Sequence, residues 1–366
     1  MTSLFDPITI GPLSLSNRIA MAPLTRNRSP GAVPNDLNVT YYEQRATAGL
    51  LISEGTPISH QGQGYAQVPG LYLPESLEGW KRVTAAVHAA GGHIAAQLWH
   101  VGRVSHTSLQ PNGGQPVAPS AIRAKSKTFI VNEDGTGGFV DTSEPRALAL
   151  DEIPGIVEDY RRAARAAIDA GFDAVEIHAA NGYLIDQFLR SGSNSRTDAY
   201  GGSIENRTRF ALEVVDAIAD EIGANRTGIR LSPVTPANDV SDPDPQPLFN
   251  HLVEQLASRD LAFIHVIEGA TGGARDNLPF DWAGFKAAYR AKGGKAAWMV
   301  NNGYDRAMAI DAVASGRADM VSFGRPFISN PDLVRRLKEN APLNEPNRAT
   351  FYGGGAQGYT NYPKLA

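Results

Sequence analysis

His178, Asn181 and Tyr183 place an imidazole, a carboxamide and a phenol within five residues of one another. The first two can each donate a hydrogen bond to one oxygen, and a phenol beside them can deliver a proton. That combination suits polarising a carbonyl and protonating what results. His178 and Asn181 are three apart, so one turn of helix would put both on one face. A lone histidine after a strand is more often a satisfied structural residue, and a lone tyrosine is more often core. The trio gains weight from its place at a strand's C-terminal end. It also precedes a polar, glycine-containing run, Ser191 to Gly202, that is expensive to order without a function.

The strand that positions the trio is Ala174-Val175-Glu176-Ile177, a short apolar run after the turn Ala170-Gly171-Phe172-Asp173 and ending at His178. Similar runs recur along the chain. Arg18 to Pro23 ends in Leu24-Thr25-Arg26, and Leu50 to Ser53 ends at Glu54-Gly55. Ile94 to Leu98 ends in Trp99-His100, with Ala95, Gln97 and Trp99 on one side by period-two spacing. Gly228 to Ser232 contains Arg230, and Ala262 to Ile267 closes at Glu268-Gly269. Ala297 to Val300 closes at Asn301-Asn302-Gly303, and Met320 to Phe323 at Gly324-Arg325-Pro326.

Helical stretches are expected between these strands: Asn38 to Ala48 with Asn38 or Thr40 as cap, Ser76 to Ala90 capped by Ser76, and Ile153 to Ala170. Ile204 to Ile222, Leu248 to Ser258, Asp305 to Ser315 and Asp332 to Glu339 follow. Eight strands alternating with helices predict a (β/α)8 TIM barrel, an α/β fold, over a single domain spanning 1–366. An open doubly wound sheet would need a glycine fingerprint after its first strand, and none is there. The one G-x-G-x-x-G match, Gly353, Gly355 and Gly358, lies too near the C-terminus for a βαβ unit to follow. Between strands three and four, residues 104–146 are rich in Gly, Pro, Ser and Asn. They read as an inserted lid with a β-hairpin, Thr128 to Val131 and Gly138 to Asp141, around the turn Glu133-Asp134-Gly135.

Composition narrows the function. Zero Cys excludes disulfides, thiolate nucleophiles, Cys-ligated zinc and iron–sulfur clusters. A net charge of -4 gives no reason to expect nucleic acid or an anionic membrane as partner. No apolar run is long enough to span a bilayer, and Met1 to Asp6 lacks a basic leader, so a soluble, cytoplasmic protein is expected. The eight His show no metal-ligand spacing and no carboxylate pair stands at the strand ends, so no metal is expected. Arg230 inside a strand demands a partner, and a bound anionic or electron-rich ligand is preferred to a structural ion pair. Gly303 and Gly324 with Arg325, after the last two strands, suit a phosphate, although either glycine could simply turn the chain.

The runs Met21-Ala22-Pro23-Leu24-Thr25-Arg26, Gln97 to Arg103, Val175 to Arg207, Gly324-Arg325-Pro326-Phe327 and Phe351 to Gly355 together resemble the Old Yellow Enzyme family of flavin-dependent ene-reductases, essentially end to end. The resemblance implies non-covalent FMN over the barrel mouth, held by Pro23, Thr25, Gly55, Gln97, Arg230, Asn302, Gly303, Gly324 and Arg325. It implies that His178 and Asn181 bind the substrate's activating oxygen and that Tyr183 donates a proton, with Tyr65, Trp99 and Tyr352 as pocket walls. The implied reaction is ping-pong: NADPH or NADH reduces the flavin, which then reduces the C=C bond of an α,β-unsaturated carbonyl or nitroalkene. The His/Asn pair stands where some relatives have His/His, and Thr25 where another branch has Cys. Two other classes compete on the residues alone. A flavin-free phosphate-binding lyase or isomerase would want a Lys or carboxylate at a strand end, and a flavin-storage protein has no use for Tyr183 beside His178. A monomer or small homo-oligomer acting on a small electrophilic alkene is expected. The loops 190–195 and 233–247 carry no pattern tied to this chemistry.

Overall fold

The computed structural model describes every residue except Met1 and Glu133. Met1, at the start of the N-terminal stretch, and Glu133, in the expected turn Glu133-Asp134-Gly135, therefore lie outside the described residues.

Eight parallel strands close into a barrel: β1 Ile19–Met21, β2 Leu50–Pro57, β3 Ile94–Trp99, β4 Ala174–Ala179, β5 Thr227–Leu231, β6 Phe263–Ile267, β7 Ala297–Asn301 and β8 Met320–Phe323. Each pairs with its sequence neighbours, and β8 closes on β1 through Val321↔Ile19. A helix follows each strand: α1 Asp36–Glu43, α2 Pro74–Ala89, α3 Ile153–Asp169, α4 Ile204–Ile222, α5 Pro245–Leu256, α6 Trp282–Ala291, α7 Arg306–Ala314 and α8 Leu333–Glu339. The strands are buried on both faces, which is why they read as continuous apolar runs. Their outward side chains and the inner faces of the helices form the main core. A hairpin of Ile8–Ile10 and Leu13–Leu15 seals the N-terminal end, where Ile10 and Leu15 pack on Ala20, Leu50, Phe263 and Met320.

Several helix starts differ from expectation, for reasons of local chemistry. α1 is capped by Asn35, not Asn38 or Thr40: Asn35 Oδ1 accepts from Leu37 N, and Asn38 Oδ1 accepts from Asn35 N. α2 opens with Pro74 at its first position, and Ser76 lies inside it, donating to the Ala32 carbonyl at 2.7 Å. α5 also opens on a proline, Pro245, three residues before the expected start. A proline at the first helical turn loses no hydrogen bond, so a Pro-rich stretch need not be loop. α6 is absent from the helices expected above, although Asp281 caps it, its Oδ1 accepting from Gly284 N at 2.8 Å.

The expected hairpin forms, with Lys127–Val131 antiparallel to Gly137–Asp141 and Phe129 opposite Phe139. It is anchored to the segment after β2 through Ala66 N to Phe129 O at 2.8 Å and Thr128 Oγ1 to the Gly64 carbonyl. The C-terminal segment around Tyr352 is held by buried arginines. Arg26 donates to the carbonyls of Phe351 and Gly358, each at 2.8 Å, and Arg28 to Thr350 at 2.8 Å. The discarded glycine motif lies here, with Gly353 and Gly358 at φ 69 and 67 in a turn bound by those arginines.

Glu54, in the bulge of β2, is wholly buried beside this cluster, accepting long bonds of 3.4 Å from Arg26 N and the Tyr42 hydroxyl. Burial pushes its pKa from 4.5 up to about 7, against the opposing pull of those donors. A folded-state pKa above the unfolded one gives stability that is complete below about 4.5 and lost as pH rises through about 7. Glu54→Gln should remove that dependence. Thermal unfolding should show the variant gaining on wild type between about pH 5 and about pH 8, by on the order of 2–3 kcal/mol. An offset equal at both pH values would mean that Glu54 does not titrate in this range.

Candidate active site

The C-terminal ends of the strands surround a cavity of about 850 Å³, of the size that takes a cofactor or drug-sized ligand. Of the expected site residues, Pro23 and Thr25 after β1, Arg230 on β5, Asn302 and Gly303 after β7, and Gly324 and Arg325 after β8 line it. Tyr65, Trp99, Asn181, Tyr183 and Tyr352 line it as well. Gly55, Gln97 and His178 stand behind this lining. A Cβ on Gly55 would lie 2.4 Å from Trp99 Cε3, so glycine is needed there for the indole to lie flat on β2. Gln97 is buried, its Nε2 donating to Glu176 Oε1 at 2.9 Å. His178 is 4% exposed, with its Nδ1 unpartnered.

His178 and Asn181 do not share a helical face. His178 is still in β4, and the chain then turns through Asn181 and Gly182, both left-handed at φ 59 and 73. A short helix, Leu184–Leu189, begins only after Tyr183. The turn is fixed on both sides of the peptide: Asn181 N donates to Ser232 Oγ at 2.8 Å, and its carbonyl accepts from Asn238 Nδ2 at 2.8 Å. The Asn181 side chain is fixed too. Its Oδ1 accepts from Thr271 Oγ1 at 2.6 Å, and Thr271 is itself held by Thr235 Oγ1 at 3.2 Å. With the amide oxygen occupied, the NH2 is the end left to donate into the cavity.

The aromatic residues interlock. Tyr65 stacks on Trp99 at 5.4 Å, Trp99 meets Tyr183 edge-on at 4.8 Å, and the His178 ring lies 4.9 Å from that of Tyr183. The hydroxyls of Tyr65 and Tyr183 are 3.2 Å apart. Burial raises the pKa of Tyr183, with the Tyr65 hydroxyl and the Asn238 amide pulling the other way. His178 is pushed well below 6.5 by burial, then by Arg230 and His265, and is a neutral imidazole at pH 7.

Arg230 is buried with Nη2 donating to Asn301 Oδ1 at 3.0 Å and with Nε unpartnered. Among the described residues no carboxylate pairs with it, so the expected ion-pair alternative is not what holds it. Burial lowers its pKa and the more distant Glu176 opposes that shift. A guanidinium with an open edge at a cavity suits an electron-rich group. At the other end of the cavity, Arg325 Nη2 donates to the Gly272 carbonyl at 3.0 Å. The helix it opens, Arg325–Ser329, is only five residues long, so bare backbone and a guanidinium, rather than a helix dipole, offer the positive charge. A Cβ on Gly324 would meet nothing closer than Leu24 Cδ2 at 3.5 Å, so packing does not require that glycine. The side chain of Asn302 is spent on structure, donating to the carbonyls of Glu268 at 2.7 Å and Ala270 at 3.0 Å. Taken together, the residues present fit FMN: a buried cation without a counter-charge, aromatic walls, and a glycine-bearing end with an arginine.

Residues outside the expected set support these groups. Beneath Gln97, Glu176 Oε2 meets His265 Nδ1 at 2.7 Å, and His265 Nε2 meets Ser322 Oγ at 2.6 Å, all buried in the barrel lumen. The signal for Glu176 and His265 was available: each is a polar residue inside a buried strand, the same oddity that marked Arg230. Thr271, Asn301 and Asn238 carried none.

Comparison with known proteins follows the same lines. Residues 3–344 match the model of the NADH:flavin oxidoreductase / NADH oxidase family. The chain is 46% identical to 12-oxophytodienoate reductase 1 of Oryza sativa subsp. japonica, over 99% of this chain and 93% of that one. It is 43% identical to 12-oxophytodienoate reductase 2 of Arabidopsis thaliana, over 99% and 96%. Among solved structures it resembles morphinone reductase in complex with tetrahydroNAD, at TM-score 0.95 and 51% identity, covering 100% of this chain and 98% of that one. An old yellow enzyme homologue from Zymomonas mobilis gives TM-score 0.93 at 44% identity, covering 100% of both. Among the described residues no helix is long and apolar enough to cross a membrane.

Proposed function

This chain belongs to the NADH:flavin oxidoreductase / NADH oxidase family, and from that premise we propose that it reduces the activated C=C bond of α,β-unsaturated carbonyls and nitroalkenes at the expense of NADPH or NADH. Membership makes it an NAD(P)H-dependent flavin oxidoreductase with FMN as cofactor, which sets aside the flavin-free lyase or isomerase and the storage protein. When bound, FMN supplies a two-electron centre that accepts a hydride from a nicotinamide and passes one to an alkene.

What supports the reading is Asn181, which lines the cavity with its amide oxygen taken by Thr271 and its NH2 left to donate, together with Tyr183, a phenol that burial keeps protonated. Asn181 and His178 would hold the substrate's carbonyl or nitro oxygen and stabilise negative charge as it develops there. A neutral His178 still carries one N–H to donate to that oxygen, so this role needs no titration near pH 7. Tyr183 would hold the proton destined for the α-carbon. Trp99 and Tyr65 would wall the alkene and exclude water. Arg230, Thr25 and Gln97 would hold the flavin ring system, and Gly303, Gly324 and Arg325 its phosphate. Nicotinamide and alkene would use the same cavity in turn, which is a ping-pong order.

The purified protein should be yellow, bleach anaerobically with NADPH or NADH, and regain its colour on adding 2-cyclohexenone. Bleached protein that recovers with air but not with the enone, nor with a nitroalkene, would be a flavin oxidoreductase of another kind.

Arg230→Ala should raise the FMN dissociation constant about tenfold or more, the loss expected of a hydrogen bond from a charged donor. It should also lower the flavin's midpoint potential, because a buried cation favours the more negative reduced state. Normal FMN retention, read by quenching of flavin fluorescence, together with an unchanged potential would make Arg230 a packing residue only.

A further inference from the structure

The loop after β5, 233–247, holds strained backbone near the site. Asn238 and Asp239 are both left-handed, at φ 57 and 62, a conformation that L side chains avoid and that persists only where the surroundings hold it. Here the surroundings are on the page. Buried Arg103 donates to the carbonyls of Asn238 at 3.3 Å and Asp239 at 2.7 Å. The Asp239 carboxylate accepts from Lys125 N, in the lid, at 3.1 Å.

The side chain of Asn238 is used at both ends. Its Oδ1 accepts from Ser126 Oγ at 2.5 Å, and Ser126 immediately precedes the lid hairpin and lines the cavity. Its Nδ2 donates to the carbonyl of Asn181 at 2.8 Å. The loop also packs directly on the turn. A Cβ on Gly182 would fall 2.4 Å from the Ala237 carbonyl oxygen and 2.9 Å from Asn238 Cβ. One amide therefore links the lid to the turn that carries Asn181 and ends at Tyr183, across sequence separations of 112 and 57 residues.

We propose that Asn238 is a positioning residue that couples the lid to the Asn181–Tyr183 turn, so that seating of the lid through Ser126 sets where the carbonyl-binding amide and the proton donor stand. The proposal rests on the function proposed above. A bland alternative exists: asparagine tolerates left-handed backbone better than most residues, and Asn238 could be there for that alone. Glycine separates the two. Asn238→Gly relieves the left-handed backbone, which offsets part of the stability lost with the two hydrogen bonds, while the coupling goes.

The test uses FMN-loaded protein and 4-hydroxybenzaldehyde, whose phenolate on oxidised flavin should give a long-wavelength charge-transfer band. Asn238→Gly should keep its flavin and stay folded, melting at most a few degrees lower, yet bind the phenol about fivefold more weakly, the worth of one neutral hydrogen bond. Its reoxidation by 2-cyclohexenone should slow as well. Ser126→Ala should weaken the same two readings, and the double variant should be no worse than Asn238→Gly alone, since the two bonds act in series. Asn238→Asp keeps the acceptor for Ser126 but sets a carboxylate against the Asn181 carbonyl, so it should not rescue. Phenol binding unchanged in Asn238→Gly, or additive losses in the double variant, would overturn the coupling while leaving the proposed function intact. Wild type that retains FMN but gives no band would remove the carbonyl-binding reading, and this proposal with it.

Discussion

Tyr183→Phe should leave the protein yellow and reducible by NADPH while slowing its oxidation by simple enones on the order of 100- to 10,000-fold, the usual contribution of general acid catalysis. The expectation is geometric before it is chemical. Trp99 and His178 pack edge-on against the ring at 4.8 and 4.9 Å, so its hydroxyl has little freedom, and phenylalanine should keep the ring in place. What is lost is the proton. Burial holds the phenol above its ordinary pKa, so Tyr183 remains an acid throughout the neutral range and the wild-type rate should stay flat to pH values above the usual tyrosine range. The Tyr65 hydroxyl, 3.2 Å away, is the group placed to share or replace that proton. Nitroalkenes should be spared, because a stabilised nitronate can leave before it is protonated. In stopped-flow oxidation of the reduced variant, a change below about threefold with an enone would take the role away from Tyr183.

The barrel was legible because its strands are buried on both faces and end in small or polar residues. Each strand end gave a local signal, and the circle of strands follows from their number and alternation. Arg230 was legible for a single reason, a cation within an apolar strand. Glu176 and His265 broke the same rule in β4 and β6 and deserved the same inference. What the chain hid was anything made by pairs far apart in sequence. Thr271 orients Asn181 from 90 residues away, and Asn301 meets Arg230 from 71. Neither partner has a composition or period that announces it. The helical spacing of His178 and Asn181 misled for a related reason. A spacing of three implies one face only if the backbone is helical, and the left-handed Asn181-Gly182 turn arises because Ser232, Asn238 and Asp186 from around the turn satisfy its peptide groups.

That turn makes the pair His178 and Asn181 testable as one unit that binds an oxygen anion. Asn181 has its amide oxygen occupied by Thr271 at 2.6 Å, and His178 is neutral because burial, Arg230 and His265 all disfavour its charged form. Both therefore present N–H donors and neither presents a competing anion. A phenol offers them an oxygen beside a flat ring, as an enone does, and donors aimed at that oxygen favour its ionised form and lower its pKa. A phenolate over oxidised flavin is an electron donor facing an acceptor, so 4-hydroxybenzaldehyde should raise a broad band at long wavelength. Asn181→Ala and His178→Ala should each cost about 1–3 kcal/mol in phenolate affinity, the penalty of a desolvated anion short of one donor, or about 5- to 150-fold in dissociation constant. Each should also move the apparent pKa of the band upward, because the neutral phenol loses less than its anion does. Thr271→Val is the milder companion. It frees the amide of Asn181 to turn its oxygen toward the anion, so it should raise the pKa in the same direction by less. Titration curves that coincide in wild type and both alanine variants would mean that the pair does not face the ligand oxygen, and the polarising role would pass to another donor on the cavity wall.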